Sequence, residues 1–382
     1  MPFMTSRPIC LYTSEYPPHS GGIATVNGEL AAALSQKGER VTVHCPHPPP
    51  DKLVGITFSR LKVRGTQDPD DIARWFFIMG RAAADHESLH CATEPAPVLG
   101  LLWRILLKRP VPPNLTILLH GTEILRWRRR DWLVRALRNL ARKARLLVPS
   151  VHVRDLVSEV LGSSVSLPEV LPYAPPGFCL TAASSTWERN SDSPLTLLTV
   201  ARIHPRKGQL DVIRALQKVK PQLTNNLRYR IVGEGKKSQE SYHQSLRQAA
   251  GDASFEVSLE GPLYGDDLIS AYRESNLFVL ASREDRDSLE SFGLVYLEAA
   301  SLGLPILASR VGGVAEACGN GAILVEPHSG DALAEGLERL LGDANLRRSL
   351  GDAGARRALG MTWSAATDLM VDQPKPSAVA SA

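Results

Sequence analysis

Short apolar runs alternate with stretches of helical periodicity, and the alternation runs through the chain twice. In the first half the runs 9–13, 41–44, 115–120 and 146–149 read as buried strands, each brief, apolar and bounded by turn or helix signals. Between the first two, residues 24–37 carry a helical pattern that ends at Gly38, where a glycine can close the helix in a left-handed conformation. Ser150 stands where an N-cap belongs for a helix over 151–161. A proline-rich passage, 171–177, and a polar stretch, 181–193, interrupt the pattern. It then restarts, with strands at 195–200, 229–232, 255–259, 277–280 and 305–308 and helices at 209–219, 238–250, 266–274 and 291–302. Strands separated by helices pair in parallel, because each crossover returns the chain to the same edge of the sheet. The 382 residues exceed what one hydrophobic core usually serves. The expectation is therefore α/β architecture with two doubly wound domains. The first spans 1–177, a linker 178–193, the second domain 194–362, and a C-terminal segment 363–382 ends in a Pro/Ala/Ser-rich tail expected to fray. Ligands in such sheets bind at the carboxyl ends of the strands.

Bulk composition excludes several classes. Hydrophobic residues make up 43% and charged residues 22%, ordinary for a soluble globular chain, and a net charge of +4 gives no reason to expect nucleic acid. The cations are unevenly placed, with nine Lys/Arg against the single acid Asp131 between Arg126 and Arg145. Leu133, Leu137, Leu140 and Ala144 in that stretch recur at helical spacing, so one side faces a core. Its other side is open to two readings: a solvated basic face, or a contact for an anionic membrane or an anionic, lipid-linked acceptor. The five cysteines, Cys10, Cys45, Cys91, Cys179 and Cys318, are odd in number and far apart, without zinc spacing. Buried thiols in a reducing cytosol are expected. The longest apolar run, 98–107, is broken by Arg104 and too short to span a bilayer, and 9–12 is too short for a signal peptide. A cytoplasmic protein is expected, at most peripheral at the inner membrane surface.

Three constellations could carry chemistry. In 14–26 a loop follows the first strand and Gly21-Gly22 opens a helix; unsatisfied amides and a positive helix end attract phosphate there, though a plain strand–loop–helix turn looks the same. In Val200-Ala-Arg-Ile-His-Pro-Arg-Lys-Gly208, Arg202 and Lys207 lie just past the first strand of the second array, where fixed cations would neutralise a leaving diphosphate. A solvated basic loop is the plain alternative, and Arg206 is read as no more than that. The most specific run is Glu290-Ser-Phe-Gly-Leu-Val-Tyr-Leu-Glu298, followed by Gly303-Leu-Pro305, at a strand-to-helix junction. A carboxylate can accept hydrogen bonds from two hydroxyls, which suits a sugar or a ribose diol, and Gly293 would let amides at the helix start reach a ligand.

These runs, with His120-Gly-Thr-Glu123, Val232-Gly-Glu-Gly235, Gly261-Pro-Leu-Tyr264 and Val311-Gly-Gly313, resemble in order and spacing retaining glycosyltransferase family 4, enzymes of the GT-B fold. The resemblance implies two facing Rossmann-like domains with an interdomain cleft and a nucleotide-sugar donor. By it, Glu290 would hold hydroxyls of the transferred sugar and Glu298 the ribose diol, Arg202 and Lys207 the diphosphate, with Gly22 near the distal phosphate. Phe292, Gly293 and Leu294 would contact the sugar, Leu263 and Tyr264 the base, and Gly233 belongs with the donor-binding set. His120 would stand beside the reacting carbon, although on residue type a satisfied structural histidine fits equally well. The resemblance further implies a hexosyl transfer to an acceptor hydroxyl with retention, from a donor with UDP as the preferred carrier. No cofactor and no metal are expected. Asp68-Pro-Asp70 and Asp285-Arg-Asp287 mimic metal-binding pairs, but Asp68 suits a helix cap and Asp287 falls late in the second array. A sugar-nucleotide epimerase, a phosphorylase with pyridoxal phosphate, a silent nucleotide-sugar-binding protein and a dinucleotide oxidoreductase are the rivals.

Overall fold

A computed structural model describes residues 7–18, 21–50, 53–65, 67–184 and 194–372, and the chain divides into two compact units. Unit 1 runs to Tyr173 and resumes at Thr362; unit 2 is Ala174–Met361.

The strands of unit 1 are β1 (Ile9–Tyr12), β2 (Val41–Cys45), β3 (Ile56–Arg60), β4 (Leu89–Ala92), β5 (Leu115–Leu118), β6 (Ala144–Val148) and β7 (Glu169–Val170). Its helices are α1 (Gly22–Gln36), α2 (Pro69–Ala82), α3 (Pro95–Leu106), α4 (Thr122–Trp127), α5 (Asp131–Ala141) and α6 (Val151–Leu161). Among the described residues the sheet has the order β3-β2-β1-β4-β5-β6-β7, parallel throughout. β1, β4 and β5 are buried at every position, as strands covered on both faces must be. β4 is central, yet its apolar run is broken by His90. That ring is fully buried: Nδ1 accepts from the Tyr12 hydroxyl at 3.1 Å, and Nε2 donates to the Asp85 carbonyl at 3.0 Å.

Unit 2 opens with α7 (Gly177–Ala183). Its strands are β8 (Leu195–Val200), β9 (Leu227–Val232), β10 (Glu256–Gly261), β11 (Leu277–Leu280), β12 (Ile306–Ser309) and β13 (Ala322–Val325). Its further helices are α8 (Gln209–Leu216), α9 (Pro221–Thr224), α10 (Glu240–Gly251), α11 (Gly265–Arg273), α12 (Leu294–Ser301), α13 (Val314–Cys318), α14 (Gly330–Gly342) and α15 (Ala344–Leu359). The order β10-β9-β8-β11-β12-β13 is again parallel throughout. One core on this sheet joins Val212, Ile213 and Leu216 of α8, Tyr229 and Ile231 of β9, and Leu337 and Leu340 of α14.

The first unit runs to Tyr173 and not to the expected 177, and two further boundaries differ. The segment expected to begin a linker at 178 instead forms α7, which buries Cys179 and Ala182 and packs on α11 and α12, so these residues belong to unit 2. Arg273 holds its end by donating to the Ala182 carbonyl at 2.6 Å. The rest of that segment, 185–193, lies outside the described residues, as do 373–382 of the expected tail. The C-terminal segment forms α16 (Trp363–Val371), which returns to unit 1 and packs on α1. Lys37 donates to the Ser364 carbonyl at 2.7 Å and pairs with Asp368, Arg145 donates to the Leu369 carbonyl, and the Trp363 ring lies 5.7 Å from Tyr173.

Candidate functional site

Both sheets reverse their direction of growth between the first and fourth strands, β1/β4 and β8/β11, and crevices open at the carboxyl ends of such a pair. In unit 2 the loop after β8 turns through a short 3-10 helix, Pro205–Lys207, shaped by His204 Nδ1 accepting from the Arg206 amide at 3.1 Å. Gly208 has φ 69°, and a Cβ there would stand 2.1 Å from the Ala281 carbonyl oxygen. Only a glycine lets this loop lie against the end of β11.

That approach brings the loop's cations to Glu290. Its Oε2 accepts from Lys207 Nζ at 2.6 Å, Arg206 Nη1 at 3.2 Å and Ser282 Oγ at 3.2 Å. The carboxyl is buried, which by itself would raise its pKa; Lys207 and then Arg206 outweigh the burial and hold it down at about 2. Burial lowers the pKa of Lys207, with Glu290 opposing and the nearby Arg206 and Arg202 adding to the fall. The Glu290 backbone is gripped as well: the Gly313 amide donates to its carbonyl at 2.9 Å, and a Cβ on Gly312 would sit 2.0 Å from that oxygen. This accounts for the paired glycines at 312–313.

Glu298 lies in the same motif under different conditions. α12 begins at Leu294, later than the expected 291, so Glu298 stands a little over one turn in rather than two. Its Oε2 accepts from the Tyr272 hydroxyl at 2.7 Å, and burial pushes the carboxyl up to about 7, with Tyr272 acting against it. Gly293 caps α12 with φ 88°, and a Cβ there would press on the Tyr296 ring at 2.6 Å. Phe292 and Leu294 flank it, both buried.

The remaining predicted positions in unit 2 are more dispersed. Arg202 is exposed, its carbonyl accepting from Gln209 Nε2 at 2.9 Å, whereas Arg206, expected to be solvated, is the arginine that reaches Glu290. The 3-10 turn points position 206 inward, which is why Arg206 and not Arg202 reaches Glu290. Gly233 has φ 142° where the chain leaving β9 meets the Ala201 carbonyl, 1.9 Å from a would-be Cβ. Leu263 is half-buried and Tyr264, at the start of α11, is 59% exposed.

In unit 1, Gly22 is the first residue of α1 and exposed, with room for a side chain. His120 is buried, its Nε2 donating to the Thr93 carbonyl at 2.9 Å and its amide to Glu123 Oε1 at 2.6 Å. Sequence reasoning missed Glu94. It follows β4 at the unit's own switch point, is buried, and its Oε1 accepts from both the amide and the hydroxyl of Ser14, which follows β1. Burial pushes Glu94 up to about 7, with Ser14 acting against it and Glu15 and Asp71 adding. The available signal was an acid directly before Pro95, the first residue of a helix.

Each Asp-x-Asp run makes a local side-chain-to-backbone bond. Asp68 caps α2 by accepting from the Asp71 amide at 3.0 Å, and Asp285 accepts from the Asp287 amide at 2.8 Å within a turn. Cys10, Asp85 and His90 gather in unit 1, but both ring nitrogens of His90 are already engaged. All five cysteines are buried. In the basic stretch, Arg138 closes α6 through the Leu161 and Val160 carbonyls at 2.8 and 3.0 Å, and Arg145 pairs with Glu169. Arg128, Arg130, Arg135, Arg142 and Lys143 are exposed. So is Trp132 (38%), 5.8 Å from Trp103 of α3 (39%). Among the described residues no helix is long and apolar enough to cross a membrane.

A family model described as "Glycosyltransferase Family 4" matches residues 20–172, and one described as "Glycosyl transferases group 1" matches 185–357. A GDP-mannose-dependent monoacylated alpha-(1-6)-phosphatidylinositol monomannoside mannosyltransferase of Corynebacterium glutamicum is 32% identical over 159 residues, 40% of this chain and 39% of that protein. A lipopolysaccharide 1,2-N-acetylglucosaminetransferase of Salmonella typhimurium is 27% identical over 220 residues, 52% of this chain and 54% of that one. The matched segments thus span about half or less of these relatives. A sucrose-phosphate synthase structure from Thermosynechococcus elongatus superposes with TM-score 0.74 at 19% identity, covering 95% of this chain and 97% of the other; it shares the GT-B fold.

Proposed function

Because the chain belongs to glycosyltransferase family 4, we propose that it transfers a sugar from a nucleotide-sugar donor to an acceptor hydroxyl. The observation that carries this is Glu290 Oε2, which collects Lys207, Arg206 and Ser282 at the switch point of unit 2. A carboxylate kept ionised beside two cations can accept sugar hydroxyls while the cations meet the diphosphate, and cations so fixed lower the barrier to its departure. Arg202, exposed on the same loop, adds a third positive charge to the leaving group. Glu298 takes the ribose diol.

In this mechanism the cations neutralise the leaving diphosphate and no divalent metal is required. The acceptor hydroxyl attacks on the face the diphosphate leaves, passing its proton to the departing phosphate oxygen, so the anomeric configuration is retained. An inverted product would refute that step. UDP is the proposed carrier; the GDP-mannose dependence in the name of the Corynebacterium glutamicum relative favours GDP as the second reading. The exposed cations on and beside α4 and α5, with Trp103 and Trp132, fit contact with an anionic membrane surface or a lipid-linked acceptor.

Thermal-shift screening against UDP- and GDP-sugars, with and without a chelator, tests the proposal. A cognate donor binds the native state and raises the melting temperature. Transfer or slow hydrolysis of that donor should follow, undiminished by chelation. Donor binding with neither reaction would make the chain a silent binding protein.

A further inference from the structure

One buried hydroxyl in unit 2 has no part in the mechanism above. Tyr272, on α11, is fully buried, its ring centroid 6.1 Å from that of Phe278 on β11, and it donates to Glu298 Oε2 at 2.7 Å. Among the described residues this is the only hydrogen bond to the Glu298 carboxylate, and no cation stands by as Lys207 does for Glu290.

We propose that Tyr272 is a positioning residue: it pins Oε2 of Glu298 so that the carboxylate is already set to accept the vicinal hydroxyls of the donor's ribose. The inference rests on the assignment of Glu298 to that diol. A glutamate side chain has three torsions, the last broad and nearly two-fold, so an untethered carboxylate would have to be ordered by each incoming ligand. Fixing it beforehand moves that cost from binding to folding. Tyr272 can do so because its own position is set by ring packing against β11. Burial and then the neighbouring Glu298 raise its pKa well above the usual value, so at working pH the hydroxyl keeps its proton and donates.

Calorimetric titration of UDP and its 2′,3′-dideoxy counterpart, with the GDP pair in parallel, provides the test. The wild type should prefer the ribo form by about tenfold. In Tyr272→Phe, with its fold checked by melting temperature, the ribo form should weaken about fivefold while the dideoxy form is unchanged. Glu298→Gln should lose the preference, and adding Tyr272→Phe to it should cost nothing more. A Phe variant that keeps the full preference, or weakens both ligands alike, overturns the role of Tyr272 alone. So does a double variant whose losses add, a comparison that needs only modest stability of either variant. A wild type that binds both forms equally overturns the diol assignment itself.

Discussion

The two units repeat one strand order and place a carboxylate at the same point in it, Glu94 after β4 and Glu290 after β11. Each closes on the loop leaving the first strand of its sheet. In unit 1 that loop offers the neutral amide and hydroxyl of Ser14, and burial drives Glu94 up to about 7. In unit 2 it offers Lys207 and Arg206, burial is outweighed, and Glu290 falls to about 2. Topology decides where a crevice can open; the residue types in the first loop decide whether it holds charge. Unit 2 carries the cations that the proposed anionic leaving group calls for, and among the described residues unit 1 shows no comparable cation at that point.

The strongest way to break this contrast is to neutralise each carboxylate. Glu290→Gln strands two part-buried cations, and a loss of about 3 kcal/mol is expected at pH 7 by urea denaturation, with transfer falling about 100-fold or more. Because the native state holds Glu290 ionised, its contribution is complete above about pH 4.5 and is lost as pH falls toward 2. An equal loss from Glu94→Gln would erase the contrast.

Glu94→Gln should act in the opposite direction. Its pKa is raised in the folded state, so ionising it costs stability as pH rises from about 4.5 to about 7, after which the cost is constant. At pH 8 the variant should therefore be more stable than wild type, by as much as ~2 kcal/mol, and the gap should close by pH 5. Thermal unfolding at the two values decides; a gap that widens toward acid would contradict the assignment.

The two arginines of the unit 2 loop sharpen the comparison further. Arg206→Gln should cost about 1–2 kcal/mol, since a bond to a buried charge is lost. Arg202→Gln, at an exposed position, should change stability by less than about 0.5 kcal/mol while weakening nucleoside diphosphate binding a few-fold. The smallest effect concerns unit 1, where the exposed cations Arg128, Arg130, Arg135, Arg142 and Lys143 lie on and beside α4 and α5. Binding to vesicles rich in anionic lipid, followed by sedimentation, should fall a few-fold as salt rises through the physiological range.

Much of this was legible from residue order. β8 and β11 begin and end where their apolar runs do, and Lys207 and Glu290 were each legible as charged residues beyond a strand end, though their direct contact was not. β4 was not legible, since His90 reads as a polar interruption until Tyr12 and Asp85 are seen to satisfy its ring. Reading Arg206 as a plain solvated cation could not anticipate its contact with Glu290, because loop residues four apart differ in burial only through the turn between them. Glu94 and Tyr272 escaped notice for a related reason: each acts through one partner distant in sequence, Ser14 and Glu298, and no local spacing announces such a pair.

The return of α16 to unit 1 affects how the chain is made. On the ribosome, the sheet begun first is the one sealed last: Lys37 must await Ser364 and Asp368, and Arg145 must await Leu369, until the whole of unit 2 has been synthesised. A nascent chain halted before Thr362 would hold a finished second half and an unsealed first half, with the surface that α16 covers on α1 left open to solvent or to a chaperone.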